Sequence, residues 1–297
     1  MAHSFFPSTR DTLPLKEFVD YCHAHVRYED EASIAEASDR LAMLANDRML
    51  LINALQAGLM RHIEQHGEIL GVSSQSLILH ADRQCKVRAV IWKPPVNRAG
   101  SDSHDARIYS YRFAHNHNFH LLTAGYFGPG YETEIYECDP YSIQGYVGEP
   151  VDLKHLERTT LPRGKVMFFR SLKDVHTQLP AEEFSISLNL LVNDPTGRVP
   201  DQYGFDIEQS RLTHLITVPM AAQISMLSFL SLMKARNALP TVIRMAESDA
   251  HWRARVAAYE CIHNIAPELS STFWRQAEDD RHPMVQRMAR EHLEALA

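Results

Sequence analysis

The hydrophobic positions between about residue 15 and residue 65 recur at intervals of three and four residues. This spacing puts apolar side chains on one face of a helix, and the segment is rich in Ala, Leu, Met and Glu, which favour helices. Gly67 is placed to end the last helix. The pattern therefore predicts an α-helical N-terminal segment, which we assign to residues 1–67.

From about residue 68 the hydrophobic positions alternate with polar ones, as they do on a half-buried β-strand. Because no helical pattern lies between the strand-like segments, they predict an antiparallel sandwich or barrel over residues 68–195. Turn-forming Pro, Gly, Asn and Asp separate these segments. The seven predicted strands are SLILHA, CKVRAVIW, RIYSYRF, HLLTAGYF, YETEIYE, GKVMFFR and FSISLNLLV.

The Pro- and Gly-containing stretch NDPTGRVPDQYG indicates a linker, and helical periodicity returns after it over residues 205–297. Within this region residues 246–262 align with residues 277–293. A helical unit that recurs after about thirty residues resembles HEAT-type repeats, which stack to bury a continuous core. The coinciding pairs are Ala246 and Ala277, Glu247 and Glu278, Asp249 and Asp280, His251 and His282, and Ala258 and Ala289.

The HEAT-like interpretation would make this region a packing or partner-binding module, and the alternative is an ordinary helical bundle. Under either interpretation we expect His251 and His282 to be cap or surface residues rather than metal ligands. The C-terminal region therefore supplies no chemistry of its own.

Composition and charge narrow the class of protein by exclusion. The 297-residue chain has a formal net charge of −7, so it lacks the basic field that favours a nucleic-acid partner. Its four cysteines are scattered without a CxxC pair, as expected for reduced thiols in a cytoplasm. The N-terminus lacks an apolar core of signal-peptide length, and no run approaches the roughly 20 apolar residues of a membrane span. We expect a cytoplasmic protein with neither a nucleic-acid nor a membrane partner.

A cluster of histidines in RFAHNHNFHLL is the strongest chemical signal. Successive side chains of a strand face opposite sides, so the imidazoles of His115 and His117 project from one face, about 7 Å apart. His120 has the opposite parity and is the weaker candidate, whereas His176 stands just before a strand-like run and can supply a third nitrogen. Three neutral imidazoles suit Fe, Zn, Cu or Ni and leave coordination positions open. The cluster predicts a metal site at His115, His117 and His176; the alternative is a barrel that has lost its metal.

At these residues the sequence resembles the cupin superfamily, and within it the thiol dioxygenases typified by cysteine dioxygenase. The resemblance covers residues 85–192, about a third of the chain. In that family an HxH pair lies on one strand and a later His precedes a Ser-Leu-His-Leu-Tyr strand. In this chain His115-Asn116-His117 corresponds to the HxH pair. His176 corresponds to the later His, and Ser187 to Leu191 correspond to the strand that follows it.

Two further cupin features are present in part. Pro162-Arg163-Gly164 resembles the PxG turn of the second cupin motif, and Gly125 to Gly130 resembles the glycine turn that closes the first. The resemblance implies an α+β multidomain chain in which a cupin barrel, a double-stranded β-helix or jelly roll, lies between an N-terminal helical segment and a C-terminal α-helical HEAT-like module.

The departures from the family pattern are informative. Many cupins place a Glu four or five residues after the HxH, where this chain has Leu121 or Leu122, which favours a site of three histidines without a carboxylate. The thiol dioxygenase relay of Ser, His and Tyr falls on Ser187, Asn189 and Leu191, so its His and its Tyr are missing. The resemblance therefore carries over the metal chemistry and not the substrate class.

Three other residues are candidate catalytic groups. Tyr126 and Glu132 lie in GYFGPGYETEIYE, where a tyrosine such as Tyr126 or Tyr131 would orient oxygen or substrate, and a carboxylate would fix an imidazole tautomer. The alternative is that Tyr and Glu alternate there because one strand face is packed and the other wet. Arg170 flanks the third histidine and would clamp a substrate carboxylate, or else form an ion pair with Asp174.

The hypothesis that follows is an Fe(II)-dependent oxygenase, a dioxygenase, that takes an unidentified small molecule and O₂ as substrates. Zn, Mn, Cu and Ni are the alternative metals. A second hypothesis is a metal- or ligand-binding cupin whose helical regions contact another protein or self-associate. A third is a non-redox lyase or isomerase that uses Zn or Mn as a Lewis acid.

Overall fold

The computed structural model describes residues 3–65, 73, 75–94, 108–196, 200–218 and 220–296. The chain divides into two compact units, Met1–Ile216 and Thr217–Ala297. Within the described ranges, no helix has both the length and the apolar character needed to span a bilayer.

The N-terminal part of the first unit is helical, as the three- and four-residue spacing predicts. Asp30 begins one helix by accepting hydrogen bonds from the backbone nitrogens of Ala32 and Ser33. Gly67, predicted to end the last helix, lies outside the described residues. The elements are β1 (His3–Phe5), α1 (Leu15–His25), α2 (Glu31–Glu36), α3 (Ser38–Asn46) and α4 (Leu50–Gln65).

Two six-stranded sheets follow. Sheet I has the strand order β1-β8-β5-β10-β3-β2, and sheet II has the order β12-β11-β4-β9-β6-β7. The strands are β2 (Ser76–Ala81), β3 (Cys85–Trp92), β4 (Ala114–His115), β5 (His120–Phe127), β6 (Glu132–Glu137), β7 (Lys154–Thr160), β8 (Val166–Phe169), β9 (Asp174–Gln178), β10 (Ser185–Val192), β11 (Gln202–Asp206) and β12 (Arg211–Thr217).

Two hydrophobic clusters of the first unit lie on opposite faces of sheet I. Val90, Leu121 and Leu191 of sheet I and Ile135 of sheet II belong to one buried cluster, which fills the space between the sheets. The side chains on the opposite face of sheet I belong to another buried cluster, which they form together with side chains of the N-terminal helices. Sheet I is thus buried on both faces, and this explains the nearly continuous apolar runs of β5 and β10. The arrangement is the antiparallel sandwich that the strand pattern predicts.

The two glycine features of the cupin resemblance meet in space. The backbone nitrogen of Lys165 donates to the carbonyl oxygen of Pro162 and closes the PxG turn, in which Gly164 has a φ of 85°. Gly130 has a φ of 89°, and a Cβ atom there would lie 1.9 Å from the carbonyl oxygen of Leu161. Only glycine allows this close approach of two backbone segments.

Six of the seven predicted strands are present, and one prediction is wrong. RIYSYRF does not form a strand, because Ser110 and Arg112 adopt positive φ angles of 53° and 56° that break an extended run. The alternation missed the short strand β4 and the polar strands β7 and β9, since these carry too few apolar residues for the pattern to be visible.

The boundary of the C-terminal region also differs from the prediction. A helical domain was expected from residue 205, but β11 and β12 occupy residues 202–217, and the first helix of the second unit begins at Ala221. The stretch interpreted as a linker instead leads into these two strands of sheet II, and β11 pairs with β4. Pro and Gly mark turns between strands as readily as links between domains.

The second unit consists of helices. His251 and His282 begin α7 and α9, where the Nδ1 atoms accept hydrogen bonds from the backbone nitrogens of Arg253 and Met284. They therefore act as helix caps, and the HEAT-like assignment stays a prediction. Its helices are α5 (Ala221–Leu232), α6 (Leu239–Ala246), α7 (Trp252–Ile265), α8 (Pro267–Ala277) and α9 (Pro283–Leu296), with a 3₁₀ turn at Arg236–Ala238.

Candidate metal centre

Strand register directs two histidines into the sandwich. His115 of β4 lies directly opposite His176 of β9, and His176 lies opposite Ile135 of β6. Directly opposed residues of antiparallel strands share a face of the sheet. Because Ile135 belongs to the cluster between the two sheets, both imidazoles point into the interior.

Asn116 keeps His117 on the same face although β4 ends at His115. The Asn116 backbone nitrogen donates to the carbonyl oxygen of Tyr203, and its Oδ1 accepts from the Tyr203 nitrogen at 2.9 Å. The carbonyl oxygen of His117 accepts a hydrogen bond of 2.7 Å from the backbone nitrogen of Leu172. These bonds hold the HxH segment extended on both sides, so the period of two continues through His117.

The three imidazoles converge. Their ring centroids are 5.1 Å apart for His115 and His117, 4.6 Å for His115 and His176, and 4.7 Å for His117 and His176. One nitrogen of each ring lies within 4.8 Å of one nitrogen of each other ring. His176 is fully buried, and the other two are nearly so. Aromatic rings surround the group, namely Phe113, Phe119 and Phe169.

Burial keeps these histidines neutral. Desolvation lowers the pKa of His115, and it lowers the pKa values of His117 and His176 well below the usual value for histidine. The neighbouring imidazoles and Arg88 lower that of His117 further. His115 Nδ1 lies 2.9 Å from the carbonyl oxygen of Phe113, so Nδ1 carries the proton and Nε2 keeps its lone pair. Neutral imidazole with a free lone pair is the form that binds a metal ion.

The unpaired nitrogens of the group fit a metal ion. His117 Nδ1 and both nitrogens of His176 are buried and have no hydrogen-bond partner. A buried polar atom without a partner costs about 1–3 kcal/mol, and metal ligation would offset that cost. No carboxylate belongs to this group among the described residues. Three neutral nitrogens fit a divalent transition metal such as Fe or Zn better than they fit Mg²⁺ or Ca²⁺.

A polar row crosses the interior face of sheet I. Arg88, Asn189 and Thr123 lie opposite one another on β3, β10 and β5. Arg88 has the parity of Val90 and Trp92, both of which belong to the interior cluster. Desolvation lowers the pKa of Arg88, its Nε atom has no partner, and no described carboxylate forms an ion pair with it. The interior thus contains a cationic group next to three neutral histidines.

Buried hydroxyl and amide groups hold this row in place. The Trp92 indole donates to Ser187 Oγ at 3.0 Å, and Ser187 and Thr123 both donate to Asn189 Oδ1, at 3.0 and 2.8 Å. Asn189 therefore accepts two hydrogen bonds at the position where the thiol dioxygenases have a histidine. This polar network is satisfied within sheet I, and it fixes the side chains beside Arg88.

Tyr131 and Gln178 complete the polar groups of the interior. Burial raises the pKa of Tyr131, so its hydroxyl stays protonated; because Thr123 donates to Asn189, the Tyr131 hydroxyl is the donor in its hydrogen bond with Thr123. Gln178 lies opposite the fully buried Thr133, two residues beyond His176, and its Oε1 atom has no partner. Both residues face the sandwich rather than solvent, since each is almost fully buried.

The structure does not bring the three predicted catalytic residues to the histidines. Tyr126 has the parity of Leu122, packs against the cluster beneath the helices and donates to the carbonyl oxygen of Asp47 at 2.9 Å. Glu132 has the parity opposite to that of Ile135 and forms a bidentate ion pair with Arg158. Strand parity decides both cases: each side chain leaves its strand on the face away from the interior.

Of the two roles expected for Arg170, a substrate clamp or an ion pair with Asp174, the structure shows the ion pair. Its guanidinium group bonds to Asp174 at 2.6 Å and to Glu137 at 2.5 Å, and the Asp174 side chain is fully buried. The Nε and Nη2 atoms of Arg170 therefore have carboxylate partners, and these ion pairs hold the guanidinium group at Asp174 and Glu137. Arg88 is the interior arginine that sequence reasoning missed. The alternation of CKVRAVIW could have identified it, because Arg88 lies on the same strand face as the apolar Val90 and Trp92.

Replacement of Arg170 by Met is expected to lower the free energy of unfolding by about 3–5 kcal/mol, because Asp174 would stay buried without its ion pair. Urea unfolding measures this loss, and the Fe(II) content should not change. Arg158→Met, which removes the exposed ion pair with Glu132, is the matched control and should cost at most about 1 kcal/mol. Unchanged stability in R170M, together with lost metal or substrate binding, would contradict the structural role.

The lowered histidine pKa values also predict a pH dependence. In the unfolded chain these residues take up protons below about pH 6.5, whereas the folded protein keeps them neutral, so stability falls as the pH falls. We expect the chelator-treated protein to lose about 1.4 kcal/mol per buried histidine between pH 7.5 and 5.5. Urea unfolding of His176→Leu at both pH values should show a correspondingly smaller loss. An equal loss in this variant and in the natural chain would refute the assignment.

Fold and site together define a two-sheet β-sandwich with a buried three-histidine group that can hold a metal ion.

No family model matches the sequence, and no curated protein matches it. Solved structures do match, among them a DMSP lyase from Ruegeria pomeroyi, with 14% identity over 40% of this chain and 46% of that chain and a TM-score of 0.23.

Two dioxygenases are also among the matched structures. A salicylate 1,2-dioxygenase from Pseudaminobacter salicylatoxidans has 10% identity over 48% of this chain and 32% of that chain, with a TM-score of 0.25. A hydroquinone 1,2-dioxygenase from Sphingomonas has 6% identity over 42% of this chain and 69% of that chain, with a TM-score of 0.28. The match spans less than half the length of the lyase and about a third of the salicylate enzyme. Identities and TM-scores this low do not identify a substrate or a reaction.

Proposed function

We propose that this chain is a mononuclear non-haem Fe(II)-dependent oxygenase, a dioxygenase, which acts on a small anionic molecule and O₂ inside the sandwich. The observation that carries the proposal is the group of three neutral, buried imidazoles, to which the described residues add no carboxylate, beside a half-buried Arg88 for which they offer no ion-pair partner. His115, His117 and His176 would hold the metal. Fe(II) bound there would supply the activation of O₂.

Arg88 would bind and orient the substrate. Its planar guanidinium group donates two parallel hydrogen bonds to a carboxylate, and the low dielectric of the interior strengthens that pairing. A substrate anion would also supply the counter-charge that the described residues do not. The substrate that fits Arg88 is therefore a small carboxylate or a similar anion.

Tyr131 and Gln178 would position the substrate relative to Arg88. The Tyr131 oxygen, whose proton is donated to Thr123, can accept a hydrogen bond from a substrate hydroxyl or amine, and the unpaired Gln178 Oε1 can accept another. Phe119, Phe169 and Ile135 line the interior with apolar surface and limit the entry of water. These residues bind, orient and exclude water, and Tyr131 holds a proton at its phenolic oxygen.

Oxygen consumption by the Fe(II)-loaded protein tests the proposal. The probes are small carboxylates of three kinds: 2-hydroxy acids, aromatic hydroxy acids and amino acids that carry a thiol. We expect one kind to drive oxygen uptake in the natural chain and not in the His176→Ala variant. Turnover of a probe without oxygen would instead support a lyase or isomerase with Zn or Mn at the same three histidines, since those reactions need only a Lewis acid.

A further inference from the structure

A second group of metal-ligating side chains lies where the turn between β2 and β3 meets the end of α1. His23 belongs to α1, and His80, Asp82 and Cys85 belong to the turn and its flanking strands. One ligand atom of each residue lies within 4.8 Å of those of the other three. This group is separate from the three-histidine site, because Cys85 belongs to the cluster beneath the helices and not to the interior cluster.

Asp82 is held so that one carboxylate oxygen faces both histidines. Its Oδ1 atom accepts hydrogen bonds of 2.8 Å from the backbone nitrogens of Gln84 and Cys85. Its Oδ2 atom lies 2.7 Å from His23 Nε2 and 2.7 Å from His80 Nε2. Burial opposes ionisation of Asp82, but the hydrogen bonds from Cys85, His80 and His23 lower its pKa below the usual range. The carboxylate is therefore ionised and fixed in orientation.

Cys85 contributes a sulfur atom from the buried side of the group. Its thiol contacts the thiol of Cys22, and both residues are free and fully buried. The hydrogen bond that Cys22 donates to the Cys85 sulfur raises the pKa of Cys22 and lowers that of Cys85. Cys85 is the thiol of the pair that belongs to the ligand group, and a thiolate is the form of cysteine that binds a metal.

The turn is fastened to α1 independently of the ligands. Gln84 donates through its side-chain Nε2 to the carbonyl oxygens of Cys22 at 3.2 Å and Val26 at 3.0 Å. This contact keeps His23 in register with His80 and Asp82 although they are 57 and 59 residues apart in sequence. Hydrogen bonds from several directions therefore hold the ligand residues in place, as they commonly do around metal sites in proteins.

We propose that His23, His80, Asp82 and Cys85 form a second metal site, which binds Zn²⁺ and fastens α1 to the turn between β2 and β3. Two imidazole nitrogens, one thiolate and one carboxylate suit Zn²⁺, whereas Mg²⁺ and Ca²⁺ require oxygen ligands. Ligand atoms around a tetrahedral Zn²⁺ are about 3.3–3.8 Å apart, so opening the 2.7 Å contacts by less than about 1 Å gives that spacing. Four protein ligands leave no open position, and the site is structural rather than catalytic.

Cobalt binding to the full chain in the His176→Ala background tests the site apart from the proposed function. Co²⁺ on a tetrahedral site with one thiolate absorbs strongly in the visible and shows a sulfur-to-metal charge-transfer band in the near ultraviolet. We expect one equivalent of Co²⁺ to give both features, and Zn²⁺ to displace it. His80→Ala should weaken binding at least about 100-fold, since loss of even a supporting hydrogen-bond partner costs 10–100-fold.

Matched variants separate the ligands from their neighbours. His25→Ala removes an exposed histidine of the same helix that is outside the group, and it should leave the spectrum unchanged. Cys85→Ser should abolish the charge-transfer band, and if its buried position prevents folding, His23→Ala at the exposed end of the group replaces it as the test. Absence of the charge-transfer band in the His176→Ala background, or its persistence in His80→Ala, would overturn the proposal. So would a Cys22–Cys85 disulfide in the purified chain, seen as a mass lower by two hydrogens.

Discussion

The His176→Ala variant is expected to bind Fe(II) at least about 100-fold more weakly than the natural chain, because it loses the most deeply buried of three converging ligands. Both nitrogens of His176 lack a hydrogen-bond partner, so no hydrogen bond within the protein competes with the metal for this imidazole. The measurement is an anaerobic Fe(II) titration of chelator-treated protein. A lost ligand should change affinity without preventing folding, which circular dichroism checks.

His120→Ala is the matched control for this titration. His120 is also buried and lies three residues after His117, but it faces the helices, where its ring packs on Tyr28 and its Nδ1 accepts from the Ser171 backbone nitrogen. Its removal should cost stability and leave Fe(II) affinity unchanged. Full Fe(II) occupancy in His176→Ala, or equal losses of affinity in the two variants, would refute the three-histidine assignment.

The Arg88→Met variant is expected to be more stable than the natural chain and to lose anion binding. Arg88 is half-buried and its Nε atom is buried without a partner, and an apolar side chain of similar length removes the cost of that unpaired group, about 1–3 kcal/mol. Stability and function are thus predicted to change in opposite directions, as is common where a strained site serves a ligand. Urea unfolding measures the first effect.

Acetate, the smallest carboxylate probe, measures the second effect. It should raise the melting temperature of the natural chain and have no such effect on Arg88→Met, and kcat/KM for any carboxylate substrate should fall by about 10²–10³. Arg158→Met, on the solvent side of sheet II, should behave like the natural chain in both measurements. A less stable Arg88→Met protein that still responds to acetate would show that Arg88 holds the fold together and does not bind substrate.

The HxH pair illustrates what a local pattern can predict. Parity along the HxH segment places His115 and His117 on one face, and the packing of these two rings agrees with this. His120 faces the helices for another reason: the chain bends at residues 118 and 119 and enters β5 of sheet I, where His120 has the parity of Leu122. The third histidine followed from its place before a strand-like run. Its distance from the pair depends on the register of β4 against β9, two strands that periodicity did not predict.

The three predicted catalytic residues show what a local pattern cannot predict. Tyr126, Glu132 and Arg170 are close to the histidines in sequence, but adjacent positions on a strand point to opposite faces, and an arginine goes to the nearest buried carboxylate. Arg88 reaches the interior because β3 belongs to sheet I, which faces β4 and β9, whereas Tyr131 lies just before β6, which pairs with β9 within sheet II. Strand parity gives the face of Arg88, and Tyr131 was one of two candidate tyrosines, but the packing of the two sheets decides that both share the interior with the histidines.

The sequence by itself determined the helical and β regions, six strands, the HxH parity and the Leu residues at positions 121 and 122, where many cupins have a Glu, because these depend on periodicity and residue type within short segments. Only the tertiary structure decided which polar groups share the interior, that β11 and β12 belong to sheet II, and that His23 meets His80, Asp82 and Cys85. These contacts join residues far apart in the chain. Strand register and helix docking set them, and both arise from packing of the whole core rather than from any local pattern.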